Sequence, residues 1–197
     1  MIAGLVLAAG GGMRFGATKQ LADLDGRPLL EHGLAAMAGA GLDRLVVVLG
    51  SRAGDVLADV DLKGAEPVVC ERWGEGQSVS LAYGLAYLEE ENGAEGPEAV
   101  VVALGDQPNV SPEAVRRVLA ARGDSLAVRA TYGGEPGHPV VLERELLGEL
   151  RDAAGDAGAR GVLQRAGTKE VPCDDLGGGD DVDTPGDLAA LRAEGAQ

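Results

Sequence analysis

Short, uninterrupted apolar runs alternate with amphipathic segments along the first 120 residues. The runs at 2–7, 45–49 and 99–104 contain no charged residue, which is typical of strands buried on both faces of a sheet. Between them, apolar residues recur at the spacing of one helix face, most clearly at Leu81, Leu85 and Leu88. This alternation predicts an α/β fold with a mostly parallel sheet and helices on both faces.

The same pattern, combined with Gly, Pro and Ser punctuation, predicts the remaining elements. Pro28 is expected to open a helix that ends near Gly39 and Gly41, and Ser111 is expected to cap a helix that begins with Pro112. Thr184 and Asp187 are placed to form a capping box at a last helix. Further strands are predicted at 67–70, 126–132 and 139–142, and further helices at 53–58, 78–89, 143–151 and 159–165.

A glycine-rich loop follows the first predicted strand. Gly10, Gly11 and Gly12 leave backbone N–H groups accessible, and Arg14 and Lys19 follow within nine residues. Such a loop with two cations favours a polyphosphate site. It lacks the third glycine of the dinucleotide fingerprint, where Phe15 stands, and the lysine of the P-loop, where Ala17 stands. A plain strand–helix turn with two surface cations is the alternative.

The composition limits the classes of molecule that this protein is expected to bind. A net charge of −15 over 197 residues argues against nucleic acid and anionic membranes, so a small anionic substrate needs local cations or a divalent metal. Length favours one domain over 1–197. Cys70 and Cys173 are expected to be free, buried thiols. The apolar start lacks the charged region of a signal peptide and no run reaches membrane-spanning length, so we expect a cytoplasmic protein.

Two acidic segments are candidates for metal binding. Asp106 follows the strand at 99–104 and therefore lies at the same sheet edge as the glycine loop, where it can hold a divalent cation against bound phosphates. Asp181 and Asp183 belong to a second acidic segment, with Asp183 the preferred ligand. For both segments, a solvated acidic turn is the alternative.

Three further turns carry polar residues that have both structural and functional interpretations. The segment 73–80 leads into a helix, so it can contact a ribose or a base, or simply be capped by Ser78. His138 lies in a turn that enters a strand, where a structural role is the more common one. Residues 155–160 place Asp156 and Arg160 before a helix, where capping is the default interpretation.

Taken together, these segments resemble the MobA-like nucleotidyltransferases, and most closely the molybdenum cofactor cytidylyltransferase branch. The matching segments occur in the family's order and span nearly the whole chain; one departure is Gly186, where the family commonly has Glu. The matching segments are 7–10 with 14–16, 19–21, 75–78, 105–108, 137–140, 155–160 and 181–185.

The resemblance implies a three-layer Rossmann-like fold of the nucleotide-diphospho-sugar transferase type that binds a nucleoside triphosphate and Mg²⁺. It implies transfer of a nucleoside monophosphate to the terminal phosphate of molybdopterin, a pterin cofactor, with release of pyrophosphate. Members with Ala-Ala-Gly in the first motif are associated with CTP and those with Ala-Gly-Gly with GTP, so Ala8-Ala9-Gly10 indicates CTP. A molybdoenzyme or a cofactor-delivery protein is a possible partner.

The resemblance also implies residue roles. Catalytic roles fall to Arg14, Lys19 and Asp106, and metal binding falls to Asp106 and Asp183, with Asp181 a weaker third. The nucleotide contacts would be Leu7, Ala8, Ala9, Gly10, Gly11, Gly12, Arg14, Lys19, Gly76, Gln77, Ser78, Ser80 and Asp106. The acceptor contacts would be Gln107, Pro108, Gly137, His138, Pro139, Asp156 and Arg160.

Other functions stay open. A guanylyl transferase or a sugar-phosphate nucleotidyltransferase would use the same site. The branch also contains oxidoreductases that act on a pigment from nicotine breakdown, although Phe15 argues against a nicotinamide site of the fingerprint type. A protein that binds nucleotide without turnover is a third possibility, against which the presence of both acidic motifs argues.

Overall fold

The computed structural model describes residues 1–12, 14–91, 96–153 and 155–195. Its strands are β1 (Ile2–Ala8), β2 (Asp23–Leu24), β3 (Arg27–Pro28), β4 (Arg44–Leu49), β5 (Glu66–Val69), β6 (Ala99–Leu104), β7 (Ala127–Tyr132), β8 (Glu135–Glu143) and β9 (Lys169–Pro172). Its α-helices are α1 (Leu29–Ala38), α2 (Ala53–Asp59), α3 (Gln77–Glu91), α4 (Pro112–Ala120), α5 (Arg144–Asp152), α6 (Gly155–Ala166) and α7 (Pro185–Gly195).

Seven of these strands form one sheet in the order β5-β4-β1-β6-β8-β7-β9. Of the described strands in this sheet, β8 is the one that runs antiparallel to both of its neighbours. The pairs β4–β5, β1–β4, β1–β6 and β7–β9 are all parallel. The prediction of a mostly parallel sheet is therefore confirmed, and the carboxyl ends of β1 and β6 meet at one edge.

The sheet is buried on both faces, as its uninterrupted apolar runs predict. In β4, Val47 and Leu49 face one side and Val46 and Val48 face the other. The first side packs against α1, α2 and α4, and the second packs against α3, α5 and α6. The result is a three-layer fold, with a core made mainly of Val, Leu and Ala because aromatic residues are scarce.

A third, smaller apolar cluster lies beside the glycine loop. Leu24, Leu29, Val182 and Leu188 are buried in it, and Phe15 packs against them. The predicted capping box closes the start of α7, since the backbone N–H of Asp187 donates to Thr184 Oγ1 at 3.2 Å and that of Thr184 donates to Asp187 Oδ2 at 2.7 Å. Because Val182 is buried in this cluster, the cluster fixes the position of the acidic segment that contains Asp183.

Several local predictions need correction. Pro28 does not lie in the first helical turn but pairs with Asp23 in the β2–β3 hairpin, and α1 begins one residue later. Residues 155–158 belong to α6 rather than to a turn before it. Neither the hairpin nor β9 was predicted. The hairpin has strands of only two residues each, although Asp25-Gly26 was a local signal for its turn, and β9 pairs with β7, which is distant in sequence. In the described part of the chain, no helix is long and apolar enough to cross a membrane.

Candidate active site

The glycine loop borders a cavity of about 300 Å³ at the carboxyl end of β1. Three segments meet there: the loop itself, the turn that leads into α3, and the end of β6. The cavity is lined by Leu7, Ala8, Ala9, Gly10, Gly11, Gly12, Lys19, Gln20, Trp73, Gly74, Gly76, Gln77, Ser80, Gly105 and Asp106. Most of the predicted nucleotide contacts are thus brought together by the fold.

Gln20 holds the loop in position. Its side chain is buried, and Nε2 donates to the carbonyl oxygens of Ala8 at 2.8 Å and Gly10 at 2.9 Å. These carbonyls lie at or beyond the end of β1, so the glutamine pairs polar groups that would otherwise be costly to bury. Gln20 therefore acts as a positioning residue for the loop.

Two of the three glycines are required by geometry. A Cβ at Gly11 would come within 2.9 Å of the Trp73 ring, and Gly12 has a φ of +57° with Ala17 O only 2.9 Å from the place of a Cβ. Around Gly10 there is open space. The indole of Trp73 consequently packs against the loop backbone, which only a residue without a side chain allows.

Lys19 joins the two predicted metal ligands. Its Nζ lies 2.8 Å from Asp106 Oδ2 and 3.1 Å from Asp183 Oδ1, and Arg14 Nη1 lies 3.1 Å from Asp183 Oδ2. The side chain of Lys19 is only 12% exposed, whereas that of Arg14 is 79% exposed. The Lys19 contacts are the stronger part of this network, because an ion pair in solvent contributes little.

The charges around Lys19, Asp106 and Asp183 are suited to binding a cation together with the phosphates of a ligand. Burial acts to lower the pKa of Lys19, but hydrogen bonds and charge from Asp106 and Asp183 outweigh it and raise that pKa above its ordinary value. Asp106 Oδ1 is buried and has no hydrogen-bond partner among the described residues. A buried acceptor without a donor fits a cation ligand. No cluster of three or more metal-binding side chains exists within the described chain, so a metal here would need substrate oxygens as well.

Backbone and side-chain contacts bring the two acidic segments together. The backbone N–H of Val182 donates to Asp106 O at 2.9 Å, which places the next residue, Asp183, beside Asp106. Gln107 Nε2 donates to Gly179 O and Asp181 Oδ1, both at 2.8 Å. Burial, together with the charges of Asp106 and Asp183, raises the pKa of Asp181. Asp181 is therefore engaged by Gln107, while Asp183 faces Lys19.

A second cavity, of about 830 Å³, opens on the α3, α5 and α6 side of the sheet. Leu7 and Gln77 line both cavities, so the two meet at the end of β1. Apolar side chains from the sheet and these helices form much of its wall. Its polar lining residues are Gln77, Ser78, Arg129, His138, Arg160, Gln164, Thr168 and Glu170.

The predicted acceptor contacts divide into three groups. His138 and Arg160 line the second cavity, and Gly137 and Pro139 flank His138 in β8. Gln107 is buried with its amide committed to the acidic segment, and neither it nor Pro108 lines either cavity. Both residues are buried, and their contact with the acceptor stays a prediction. The side chain of Asp156 lies outside the described residues.

The nucleotide contacts predicted at the start of α3 lie in two different cavities. Ser80 lines the first cavity, but Ser78 lines the second. The helix begins at Gln77, so Ser78 is inside its first turn rather than before it. Successive helical side chains point in different directions, and for this reason one turn of α3 contributes to both cavities.

Sequence reasoning missed several residues of these cavities. Trp73, Gly74, Gln20 and Gly105 line the first cavity, and Arg129 lines the second. The first four lie within segments that the sequence had singled out (19–21, 73–80 and 105–108), but no individual role was assigned to them. Arg129 carried no signal, because it lies inside a predicted strand and belongs to none of the motifs.

His138 is neutral at physiological pH in this structure. Desolvation, with a further contribution from the charge of Arg129, lowers its pKa to about 4. The unfolded chain protonates this imidazole near pH 6.5, so the folded state loses stability as pH falls from 6.5 towards 4. We expect the free energy of unfolding to fall between about pH 7.5 and pH 5 by about 1–2 kcal/mol more in the wild type than in His138→Gln. Urea unfolding at both pH values measures this, and equal decreases in the two proteins would contradict it.

The fold and the site define a nucleotide-binding α/β protein of the nucleotidyltransferase type. The chain belongs to the MobA-like NTP transferase family, whose domain model matches residues 4–171. Nicotine blue oxidoreductase of Paenarthrobacter nicotinovorans is 32% identical over 194 residues, which cover 93% of this chain and 92% of that protein.

Solved structures share this fold. Rv0371c from Mycobacterium tuberculosis H37Rv superposes with a TM-score of 0.85 at 33% identity, covering 98% of this chain and 97% of that one. A complex of Rv0371c with manganese superposes with a TM-score of 0.81 at 31% identity, covering 98% of both chains.

Proposed function

We propose that this chain transfers CMP from CTP to the terminal phosphate of molybdopterin. An oxygen of that phosphate attacks the α-phosphorus of CTP, a new phosphorus–oxygen bond forms, and the bond to the β-phosphate bridge breaks with release of pyrophosphate. The observation that carries the proposal is the placement of Lys19, Asp106 and Asp183 together at the glycine loop.

The residues of the first cavity have distinct tasks in this reaction. The backbone of Gly10–Gly12 binds phosphate oxygens, and Lys19 and Arg14 stabilise the negative charge that develops on pyrophosphate. Asp106 and Asp183 would hold Mg²⁺, which supplies charge neutralisation to the phosphates when bound. The manganese complex of Rv0371c supports a divalent cation in this family. No general base is needed, since a phosphate monoester is already ionised near neutral pH.

The two cavities supply places for two substrates. The nucleotide occupies the first cavity and the acceptor the second, and the reacting groups meet at the shared wall of Leu7 and Gln77. When both substrates are bound on either side of this junction, the bimolecular reaction becomes effectively unimolecular. CTP is preferred to GTP on the motif Ala8-Ala9-Gly10, which forms part of the cavity wall.

Oxidoreduction is the second candidate function, because nicotine blue oxidoreductase matches nearly the whole chain. That activity would require a nicotinamide or flavin site. Phe15 interrupts the fingerprint of a dinucleotide loop and packs in the small cluster beside α7. The paired carboxylates joined by Lys19 favour a metal–triphosphate site instead.

A ligand and turnover panel separates these functions. We expect CTP to raise the melting temperature only when Mg²⁺ or Mn²⁺ is present, with about 2.7 kcal/mol of stabilisation at 100 times Kd. Pyrophosphate release should require CTP, metal and molybdopterin together. Stabilisation by NADPH alone, without any response to CTP and metal, would establish the oxidoreductase instead, and faster turnover with GTP would overturn the nucleotide assignment.

A further inference from the structure

The carboxylate pair that would hold the metal is already joined by an ammonium group of the chain. Lys19 Nζ lies 2.8 Å from Asp106 Oδ2 and 3.1 Å from Asp183 Oδ1, so one donor group contacts both acids. The side chain of Lys19 is only 12% exposed, and solvent therefore screens these contacts little. The protein thus supplies its own positive charge at the position proposed for a divalent cation.

A divalent cation and the ammonium compete for these carboxylates. Mg²⁺ is held about 2.1 Å from each of its ligand oxygens. Because Nζ lies 2.8 Å from Asp106 Oδ2, a metal on the same oxygen would be within about 5 Å of Nζ. Repulsion between the two positive charges is several times stronger in a partly buried site than in water. Metal binding to the pair is therefore opposed for as long as Lys19 stays there.

The side chain of Lys19 can leave the carboxylates without a change in the backbone. The next residue, Gln20, is buried and fixed by hydrogen bonds from Nε2 to the carbonyl oxygens of Ala8 and Gly10. The stem of Lys19 begins beside the glycine loop, since the place of a Cβ at Gly12 is 3.3 Å from Lys19 Cβ. Rotation of the flexible four-carbon stem therefore brings the ammonium to phosphate oxygens that are bound at this loop.

Bound phosphates supply what makes this movement favourable. A mostly buried ammonium leaves two carboxylates at a high cost unless another anion receives it, and phosphate oxygens at the loop are such an anion. Its departure leaves Asp106 and Asp183 as neighbouring carboxylates without a counter-charge, which favours a divalent cation. Asp106 Oδ1, which is buried and has no hydrogen-bond partner in the described part of the chain, is a further acceptor for that cation.

We propose that Lys19 keeps divalent cations off Asp106 and Asp183 until the phosphates of a nucleotide draw its ammonium to the glycine loop, so that metal and nucleotide bind cooperatively. The inference rests on the proposed function for the metal and nucleotide sites, but it is independent of the acceptor and of the transfer step. By thermodynamic linkage, each ligand tightens the binding of the other by the same factor. The protein then takes up its metal together with each nucleotide instead of holding it permanently.

The first test observes the lysine ammonium groups of the wild type by NMR. The chain has three lysines, Lys19, Lys63 and Lys169, so isotope-labelled lysine gives a simple spectrum, in which the variant Lys19→Met identifies the signal of Lys19. We expect Mg²⁺ alone to leave this signal unchanged and CTP with Mg²⁺ to shift it, while the signals of Lys63 and Lys169 stay in place. Inorganic tripolyphosphate with Mg²⁺ should also shift it, because phosphates rather than the base receive the ammonium.

The second test measures the affinity for Mn²⁺ without nucleotide, from the electron paramagnetic resonance signal of the free ion. We expect Lys19→Met to bind Mn²⁺ about tenfold or more tightly than the wild type, since the competing charge is gone. Arg14→Gln is the matched control, because it removes the same charge from beside Asp183 but at a side chain that is 79% exposed. Its affinity for Mn²⁺ should rise no more than about threefold.

The same titration with saturating CTP measures the coupling between the two ligands. After correction for Mn²⁺ bound by CTP in solution, CTP should tighten Mn²⁺ binding about tenfold or more in the wild type and in Arg14→Gln, and clearly less in Lys19→Met. Melting curves show that each variant is folded. If Lys19→Met does not fold, the NMR measurement on the wild type still decides the proposal.

The outcomes separate this inference from the proposed function. A shift of the Lys19 signal by Mg²⁺ alone, an unchanged signal with both phosphate ligands, or equal gains in Mn²⁺ affinity for Lys19→Met and Arg14→Gln would each overturn the role of Lys19. Pyrophosphate release with CTP and molybdopterin would still establish the transfer in those cases. If phosphates displace Lys19 and tighten metal binding but no pyrophosphate is released with molybdopterin, the proposed reaction is wrong and the role of Lys19 stands.

Discussion

Asp106→Asn is expected to lower kcat for pyrophosphate release by roughly 1000-fold. The substitution keeps the size and shape of the side chain but removes the charge that faces Lys19 at 2.8 Å. It also removes half of the carboxylate pair that would hold the metal, and an amide oxygen is a weaker ligand for Mg²⁺ than a carboxylate oxygen. The loss should appear in kcat, because the interaction strengthens as charge develops in the transition state.

Asp124→Asn is the matched control, because Asp124 is exposed and lines neither cavity. It should keep wild-type turnover. Circular dichroism and a melting curve show whether Asp106→Asn is folded, and titration with Mn²⁺ shows whether metal affinity has fallen. Wild-type kcat in a folded Asp106→Asn protein would remove Asp106 from the metal site.

Lys19→Met is expected to lower kcat about 100-fold. It is also expected to lower the free energy of unfolding of the ligand-free protein by about 2 kcal/mol. The first effect follows from loss of the cation that stabilises pyrophosphate. The second follows because Asp106 and Asp183 then face each other without the ammonium that lies 2.8 and 3.1 Å from them. A divalent cation can replace that charge, so Mg²⁺ or Mn²⁺ should restore more stability to the variant than to the wild type.

Melting curves with and without metal, next to steady-state kinetics, measure both effects. Lys169→Gln serves as the control, since Lys169 is exposed and donates only to Ala121 O in the described structure. If metal stabilises Lys19→Met no more than it stabilises the wild type, Lys19 does not neutralise a cation site. A kcat within twofold of the wild type would exclude Lys19 from catalysis.

Local signals were sufficient for most of the fold. The strand at 99–104 was predicted with both of its ends correct, because an apolar run between polar turns needs no distant information. The caps at Ser111 and Thr184 were likewise predicted, since a cap acts within four residues: Ser111 Oγ accepts from the N–H of Ala114 at 3.2 Å. The strand β9 was missed because it pairs with β7, which is distant in sequence, whereas the hairpin at Pro28 was missed although Asp25-Gly26 was a local signal for its turn.

In the candidate site, too, some residues were recognisable from local sequence and others depended on distant contacts. The glycine loop with Lys19, and Asp106 at a strand end, were recognisable from the sequence because strand order places them at one sheet edge. Distant contacts decided the rest. Gln107, a predicted acceptor contact, donates from Nε2 to Gly179 O, 72 residues away in sequence, and lines neither cavity. Ser78 was predicted to face the nucleotide, but the rotation of α3 turns it towards the second cavity.

The sequence by itself predicted that a glycine-rich loop suited to phosphates follows β1 and that acidic residues lie at the same edge of the sheet. The sequence also favoured Asp183 over Asp181 as a metal ligand. Only the tertiary structure showed the contacts that separate the two acids: the N–H of Val182 donates to Asp106 O and Val182 is buried beside α7, so Asp183 pairs with Lys19 while Asp181 accepts from Gln107. Only the fold showed that Arg129 lines a cavity and that its Nε is buried without a hydrogen-bond partner among the described residues. Local spacing governs turns, caps and buried strands, whereas a site made from residues about 80 to 160 positions apart exists only after packing has brought them together.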